Sequence, residues 1–496
     1  MKNESKSGKT MRAIRNWLFV ASIVLLSLIF NNVTNAETSH SEGPKNVILF
    51  IGDGMGANQI KATEIYSKQV LNKDLAMGLI KITGNTTTHS ASSPVTDSAA
   101  AATALYTGHK TINGRLNVLP DDSQVEGIGK IAKKAGLSVG MISTSRITDA
   151  TPAAIYAVSS SRGEHNKIAE HLPKMMAEVV LGVGRRNFIP RGHVDSDRKD
   201  ETDLIAIMKE NGYEFVENAQ SLASVDTKNV KRLFGLFAPS NMPYAIDRKN
   251  NQNLKDLPTL ADMTNSALSI LQNNPRGFLL MVEGGRIDHA CHSHDIKTMI
   301  EETLEFDDAI HVALNFQKKH PDTLIIVTAD HETGGLKQAG IGSFDIDSHA
   351  LEPIKHSLTH IQSQIKKKPQ EQKAILKSAG IHLNYEEAEF LGTYLAKTVK
   401  EKPGAEISSK YDPGHLVKAL SQIVSKRAGI EWTTNGHTEA SVITRAIGPG
   451  AELFSGDYDN TDIPANIARL LKFELPKPSE KVDKKTKLEG KLKKAA

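Results

Sequence analysis

The sequence predicts an α/β fold: one large, doubly wound, mostly parallel central sheet flanked by helices, with an insertion late in the chain. Three observations lead there. Short β-branched apolar runs recur at 47–51, 138–143, 278–282 and 324–328; helical patterns alternate with them; and from 337 to 429 the sequence turns to Lys-, Gln- and Glu-rich helix before strand-like residues return at Trp432. Alternation of this kind buries a parallel sheet between helical layers. With 496 residues, 39% hydrophobic and 24% charged, the chain has globular composition and length enough for a large core, which excludes disordered and fibrous classes.

The first segment reads as a secretory signal. Lys2, Lys6, Lys9, Arg12 and Arg15 precede an apolar run at 17–30, and Thr34-Asn35-Ala36 supplies small residues for cleavage after Ala36. The run is shorter than the roughly 18 apolar residues that span a bilayer, and no cysteine stands near the site to take a lipid. A periplasmic or secreted protein with no membrane anchor after cleavage is expected, its mature domain running over 37–475. The formal charge of +4 leaves with residues 1–36, which hold five Lys or Arg against Glu4. The tail at 476–496 carries a Lys-rich run against Glu480, Asp483 and Glu489, and reads as a disordered, solvated end. The folded part is then mildly acidic, and no nucleic-acid binding is expected. Cys291 is the single cysteine, so no disulfide forms within the chain despite the oxidising compartment.

The strands predict where chemistry gathers, because ligands of an open parallel sheet collect beyond the carboxyl ends of its strands. Three runs end in acids: 47–52 in Asp53, 278–282 in Glu283, and 324–329 in Asp330-His331. Carboxylates brought to one edge repel unless cations neutralise them. Gly52-Asp53-Gly54-Met55-Gly56 could also be a dinucleotide fingerprint, but its spacing is imperfect and Asp53 would face a pyrophosphate. Asp288 and His292, four apart, share one face if helical, and carboxylate with imidazole is a zinc-type donor pair. On spacing alone His437 stays unassigned.

The alanines of Ser98-Ala99-Ala100-Ala101-Ala102 favour a helix that starts near the serine. Locally, a plain N-cap is the ordinary role for such a residue. The alternative is a nucleophile whose alkoxide, and a bound phosphate, are favoured by the exposed amides of the helix end.

Taken in order, Gly52-Asp53-Gly54-Met55-Gly56, Asp97-Ser98-Ala99, Asp149-Ala150-Thr151-Pro152, the run 282–288 and the run 328–335 resemble the alkaline phosphatase family over about residues 45–464. The resemblance implies hydrolysis of phosphate monoesters through a covalent phosphoserine on Ser98, with two zinc ions and one magnesium ion. It implies a first zinc on Asp288, His292 and His437, and a second on Asp53, Asp330 and His331 that also binds the Ser98 oxygen. Magnesium would take Asp53, Thr151 and Glu283, an oxygen set suited to a hard cation. Arg162 would grip the phosphate with its two-pronged guanidinium.

Asp149 is similar to the enterobacterial members and His289 to the animal ones, and both would stand beside the metal and phosphate groups. The insertion at 337–429 resembles the family's crown and implies a homodimer. Alternatives are a phosphodiesterase of the same superfamily or a secreted metal- or phosphate-binding protein without activity. A sulfatase would need another nucleophile motif. His294, Cys291, His89 and Glu332 are expected to lie outside the ligand set.

Overall fold

Asn46–Gly52, seven residues all buried, form the first strand of the computed structural model, which describes residues 43–400, 413–475 and 477–479. The strands are β1 Asn46–Gly52, β2 Ile82–Thr87, β3 Ser138–Arg146, β4 Val179–Val183, β5 Glu214–Val216, β6 Leu233–Leu236 and β7 Phe278–Gly284. They continue as β8 Thr323–Thr328, β9 Glu332–Thr333, β10 Leu336–Gln338, β11 Ile430–Trp432, β12 His437–Thr438, β13 Val442–Ile447 and β14 Gly456–Asp459. The helices needed below are α1 Ala57–Val70, α2 Ser98–Thr107, α3 Ile128–Lys134, α4 Ala150–Ala153, α5 Ala245–Asn250 and α6 Leu260–Leu271. After them come α7 Arg286–His292, α8 Ile296–Lys319, α9 Leu358–Lys367, α10 Gln372–Ser378, α11 Tyr385–Lys400 and α12 Pro413–Ala428.

Ten strands form one sheet in the order β14-β2-β13-β8-β1-β7-β3-β4-β6-β5. Its pairings are parallel except those of β13, which runs against both β2 and β8. The sheet is covered on both faces, and the alternation along β1 shows it: Ile48 and Phe50 enter one apolar core, Val47, Leu49 and Ile51 the other. Strands buried on both faces read as continuous apolar runs, which is why β1, β3, β7 and β8 are visible in the sequence. α3 gives way to β3 at Gly136, whose φ of +85° is the left-handed cap that lets the strand start at once.

Helix α8 buries Ile300, Leu304, Ile310 and Leu314, spaced at helical intervals. It also buries acids, each with a partner. Asp307 accepts the Ala76 and Met77 amides at 2.7 and 2.8 Å, Glu305 pairs with Arg248, and Glu302 accepts the Ala245 amide at 2.6 Å. Burial, and then the neighbouring Glu305, push the Glu302 carboxyl up to about 7. Because this lies above the unfolded value of about 4.3, folding takes up a proton. The stability contributed is greatest below about pH 4.3, falls as pH rises to about 7 and is flat above. Glu302→Gln, which keeps an acceptor for Ala245, is therefore expected to stabilise the protein by about 3 kcal/mol at pH 8.5. Thermal midpoints of the two proteins should converge toward pH 4.5; a constant gap across pH would contradict this.

The segment 337–429 leaves and rejoins the body through β10 and β11, which pair antiparallel with Leu336 opposite Trp432 and Gln338 opposite Ile430. Between them lie α9 to α12, with Leu416, Leu420, Ile423 and Val424 of α12 buried where α12 packs on α9 and α11. The helical reading of this stretch is thus met. The predicted signal at 1–36 lies outside the described residues, as does the tail apart from 477–479, where Ser479 exchanges hydrogen bonds with the Gln124 backbone at 2.9 and 3.1 Å. Among the described residues no helix is long and apolar enough to cross a membrane.

Candidate active site

Parallel register sets the site. Ile51 of β1 lies opposite Glu283 of β7 and Thr328 of β8, and Ser143 of β3 opposite Glu283. Asp53, Glu283 and Asp330 therefore emerge from three adjacent central strands at one edge. Gly54 makes the turn there with φ +72°, and its missing Cβ leaves room for the Asp288 backbone. Asp330 Oδ1 accepts the Gly54 and His331 amides at 3.1 and 2.9 Å.

The gathered acids disturb one another. Burial, then the charges of Asp330, Asp288 and Glu283, hold the Asp53 carboxyl well above the usual range. Burial pushes Glu283 to about 8, opposed by the Ser143 hydroxyl that donates to it and aided by Asp149 and Asp330.

Asp53 Oδ1, Thr151 Oγ1, Glu283 Oε1 and Asp330 Oδ2 are all buried without a hydrogen-bond partner. A buried polar atom left unpaired costs about 1–3 kcal/mol, so four at one edge are a large cost unless cations fill them. Three of the four are the hard oxygen donors predicted for magnesium. The imidazoles fit a softer ion. His331 Nε2 lies 3.1 Å from Asp330 Oδ2, 3.7 Å from Asp53 Oδ1 and 3.1 Å from Ser98 Oγ. His292 Nε2 lies 3.2 Å from Asp288 Oδ2, and His437 Nε2 lies 3.7 Å from Asp288 Oδ1. Donors around a tetrahedral zinc with bonds of 2.0–2.1 Å stand about 3.3 Å apart.

Each histidine is turned by its other nitrogen. His437 Nδ1 donates to the Thr96 carbonyl at 2.9 Å and His292 Nδ1 to that of Asn435 at 2.5 Å. His331 Nδ1 lies 3.2 Å from Thr333 Oγ1, whose hydroxyl donates to Asp288 Oδ1 at 2.6 Å. All three Nε2 atoms thus face the acids; burial would lower His292, but without a cation the bond to Asp288 outweighs it and raises the ring to about 9. Thr333 links the Asp330-His331 group to Asp288, and the rings of His331 and His437 stack at 3.6 Å, so His331 borders both groups. Burial, then His331, push His437 down to about 4, which keeps it neutral.

Ser98 is the first residue of α2 and is buried. It is not the cap: Asp97 is, accepting the Ala100 amide at 2.9 Å through Oδ1. Asp97 Oδ2 accepts the Gly114 amide and Arg162 Nη1, both at 3.0 Å, which fixes the guanidinium beside the serine. A cavity of about 180 Å³ opens here, lined by Asp53, Ser145, Asp149, Arg162, Asp288 and His289. Burial would raise the half-buried Asp149, but the fork of Arg146, at 2.9 and 3.3 Å, holds it below the usual range. His289 accepts from Arg286 at 2.8 Å through Nδ1; burial, then Arg286, push it down to about 4.

Eleven of the twelve predicted residues are tied by these contacts around one edge, and Thr151 stands two residues beyond Asp149 on α4. Of those set aside, His294 donates to the Thr434 carbonyl at 2.7 Å and stacks on Trp432, and His89 pairs with Asp459 at 3.4 Å. Cys291 is buried, and Glu332 accepts the Gly335 and Leu336 amides. Sequence reasoning misses Ser143, Ser145, Thr333 and the role of Asp97. The two serines carried a signal: polar residues two apart at the carboxyl end of a buried strand share one face.

Comparison with known proteins agrees. The alkaline phosphatase family model matches residues 44–473. Alkaline phosphatase 3 of Bacillus subtilis is 32% identical over 471 residues, 92% of this chain and 96% of that protein. The crystal structure of Thermus thermophilus alkaline phosphatase superposes with a TM-score of 0.76 at 29% identity, over 89% of this chain and 95% of that one. A mutant alkaline phosphatase of the Antarctic bacterium TAB5, solved with Mg bound, superposes with a TM-score of 0.62 at 29% identity, over 87% of this chain and 99% of that one. The chain thus belongs to the alkaline phosphatase family, metal-dependent hydrolases of phosphate monoesters.

Proposed function

We propose that Ser98 is the nucleophile and carries the phosphoryl group as a phosphoserine, with two zinc ions and one magnesium ion in attendance. One zinc is assigned to Asp288, His292 and His437, the other to Asp53, Asp330, His331 and the Ser98 oxygen, and magnesium to Asp53, Thr151 and Glu283. The observation that carries this is the set of four buried, unpartnered oxygens on these very side chains. When bound, a metal pair supplies Lewis-acid stabilisation for the attacking and leaving oxygens and lowers the pKa of water.

The chain's own residues do the rest. Ser98 Oγ attacks phosphorus, the ester oxygen leaves on the opposite side, and water then cleaves the phosphoserine from that same side, so configuration at phosphorus is retained. The amides at the start of α2 and the Arg162 fork take the charge on the non-reacting oxygens. Asp97, through its 3.0 Å contact, keeps Arg162 aimed. Asp149 and His289 shape the cavity wall, Asp149 as a fixed anion and His289 as a neutral ring. Chelation should abolish release of phosphate from an aryl ester, and stepwise return of zinc and magnesium should restore it; full activity after chelation would overturn the assignment.

A diester presents one charged oxygen fewer to Arg162. Arg162→Ala is expected to lower kcat/KM for a monoester by about 10- to 100-fold, as loss of a charge-assisted pair implies, and to leave a diester nearly unaffected. Equal losses for both substrates would contradict the assigned grip.

The chain is further proposed to be exported through cleavage after Ala36 into the periplasm or medium, with no membrane anchor, which terminal sequencing of the mature protein tests. The domain at 37–475 is proposed to dimerise through its lobe at 337–429, and the tail at 476–496 to be a solvated end. Sedimentation of a chain without the lobe should then give a monomer.

A further inference from the structure

A second meeting of imidazoles and carboxylate lies where the lobe's first long helix joins the body. Asp247 on α5, with His356 and His360 at the start of α9, bring ligand atoms within 4.8 Å of one another. The sequence prepares this: His356 stands just before Ser357, the N-cap of α9, and His360 four residues on, one turn away. Their rings stack with centroids 4.7 Å apart.

The carboxylate is set in place from the other side. Asp247 is buried, and it accepts the Ser357 amide at 2.9 Å through Oδ1 and the Ser357 hydroxyl at 2.6 Å through Oδ2. A free lone pair remains on each oxygen. His356 Nδ1 comes within 3.4 Å of Asp247 Oδ1, yet this buried nitrogen makes no hydrogen bond. The two atoms are close but do not point at each other, which is the relation between two donors that face a common third centre. Their spacing matches the edge of about 3.3 Å expected around tetrahedral zinc.

We propose that Asp247, His356 and His360 form a further metal site, separate from the catalytic cluster, for a zinc-class dication with water as its fourth ligand. Two imidazoles and one carboxylate select such an ion over magnesium or calcium. It pins α9 to α5, and so the lobe to the body. The same helix start is tied to the catalytic side, because the Leu358 amide donates to Asp295 at 2.7 Å, three residues beyond His292. The role is structural: the site strengthens a junction.

The test is zinc content per chain of the full-length holoenzyme after dialysis against a zinc buffer, for wild type and for the double variant His356→Gln, His360→Gln. The variant is expected to hold one zinc fewer, to keep aryl phosphate turnover within about twofold, and to lose the rise in thermal midpoint that excess zinc gives the wild type. Equal zinc content overturns the proposal and leaves a plain histidine–aspartate ion pair. Should the variant not fold, wild-type crystals at the zinc absorption edge decide. An anomalous peak between Asp247, His356 and His360 is expected beside the catalytic peaks, and its absence overturns the proposal.

Discussion

Ser98→Ala is expected to lower turnover of an aryl phosphate at least about a thousandfold while leaving the thermal midpoint of the metal-free protein close to wild type. The size follows from removing a nucleophile that splits one hard displacement into two easier ones; what remains is what oriented binding and charge stabilisation supply without it. The fold should tolerate the change. Ser98 is the first residue of α2 and the cap is Asp97, whose bond to Ala100 is untouched, and alanine is the best helix former. Rapid acid quench with labelled substrate should trap phosphoprotein from wild type and none from the variant. Label retained on the alanine protein would move the nucleophile elsewhere.

Asp53→Asn is expected to act in two opposite directions. Asp53 is proposed to serve both the second zinc and magnesium, so its loss should cut turnover on the order of a thousandfold, as loss of a shared metal ligand implies, and should reduce bound metal. In chelator the sign reverses. Burial, then Asp330, Asp288 and Glu283, raise the Asp53 pKa, so its ionised form is disfavoured in the folded protein relative to the unfolded chain. A folded pKa raised this way costs stability above the unfolded value near 3.9, and the cost grows with pH until the folded pKa is passed. A neutral amide escapes it. Melting curves should therefore cross: the variant melts above wild type in chelator at neutral pH and below it with zinc and magnesium. A variant that is less stable in both conditions would argue against the crowding of charge assigned to this edge.

The parts of the fold legible in the sequence are those where one rule dominates. β1, β3, β7 and β8 are buried on both faces and show as unbroken apolar runs, and α8 shows its stripe because one side meets the sheet. The edges of the sheet are less legible. β2, Ile-Thr-Gly-Asn-Thr-Thr, and β14, Gly-Asp-Tyr-Asp, are polar and partly exposed, so they read as loop, and their strand state comes from pairing with β13 and with each other. The site divides similarly. Asp53, Glu283 and Asp330 are legible because each ends an apolar run. Ser98 is ambiguous locally, since a serine before alanines fits a cap as well as a nucleophile; only the position of Asp97 separates the two. His437 has no local signature at all. It reaches the cluster through a two-stranded pairing with β9, His437 opposite Thr333, a long-range contact that spacing does not reveal.

The β10–β11 stalk has a consequence for how such a chain can change. Because the lobe's two ends are clasped side by side, the whole of 337–429 is topologically one large hairpin loop. Doubling a loop's length adds only about 0.6 kcal/mol of closure entropy, so insertions, deletions or a transplanted lobe can be accommodated there while the register that aligns the acids stays fixed. Selection can thus remodel the lobe while the strand pairing that frames the acids is kept.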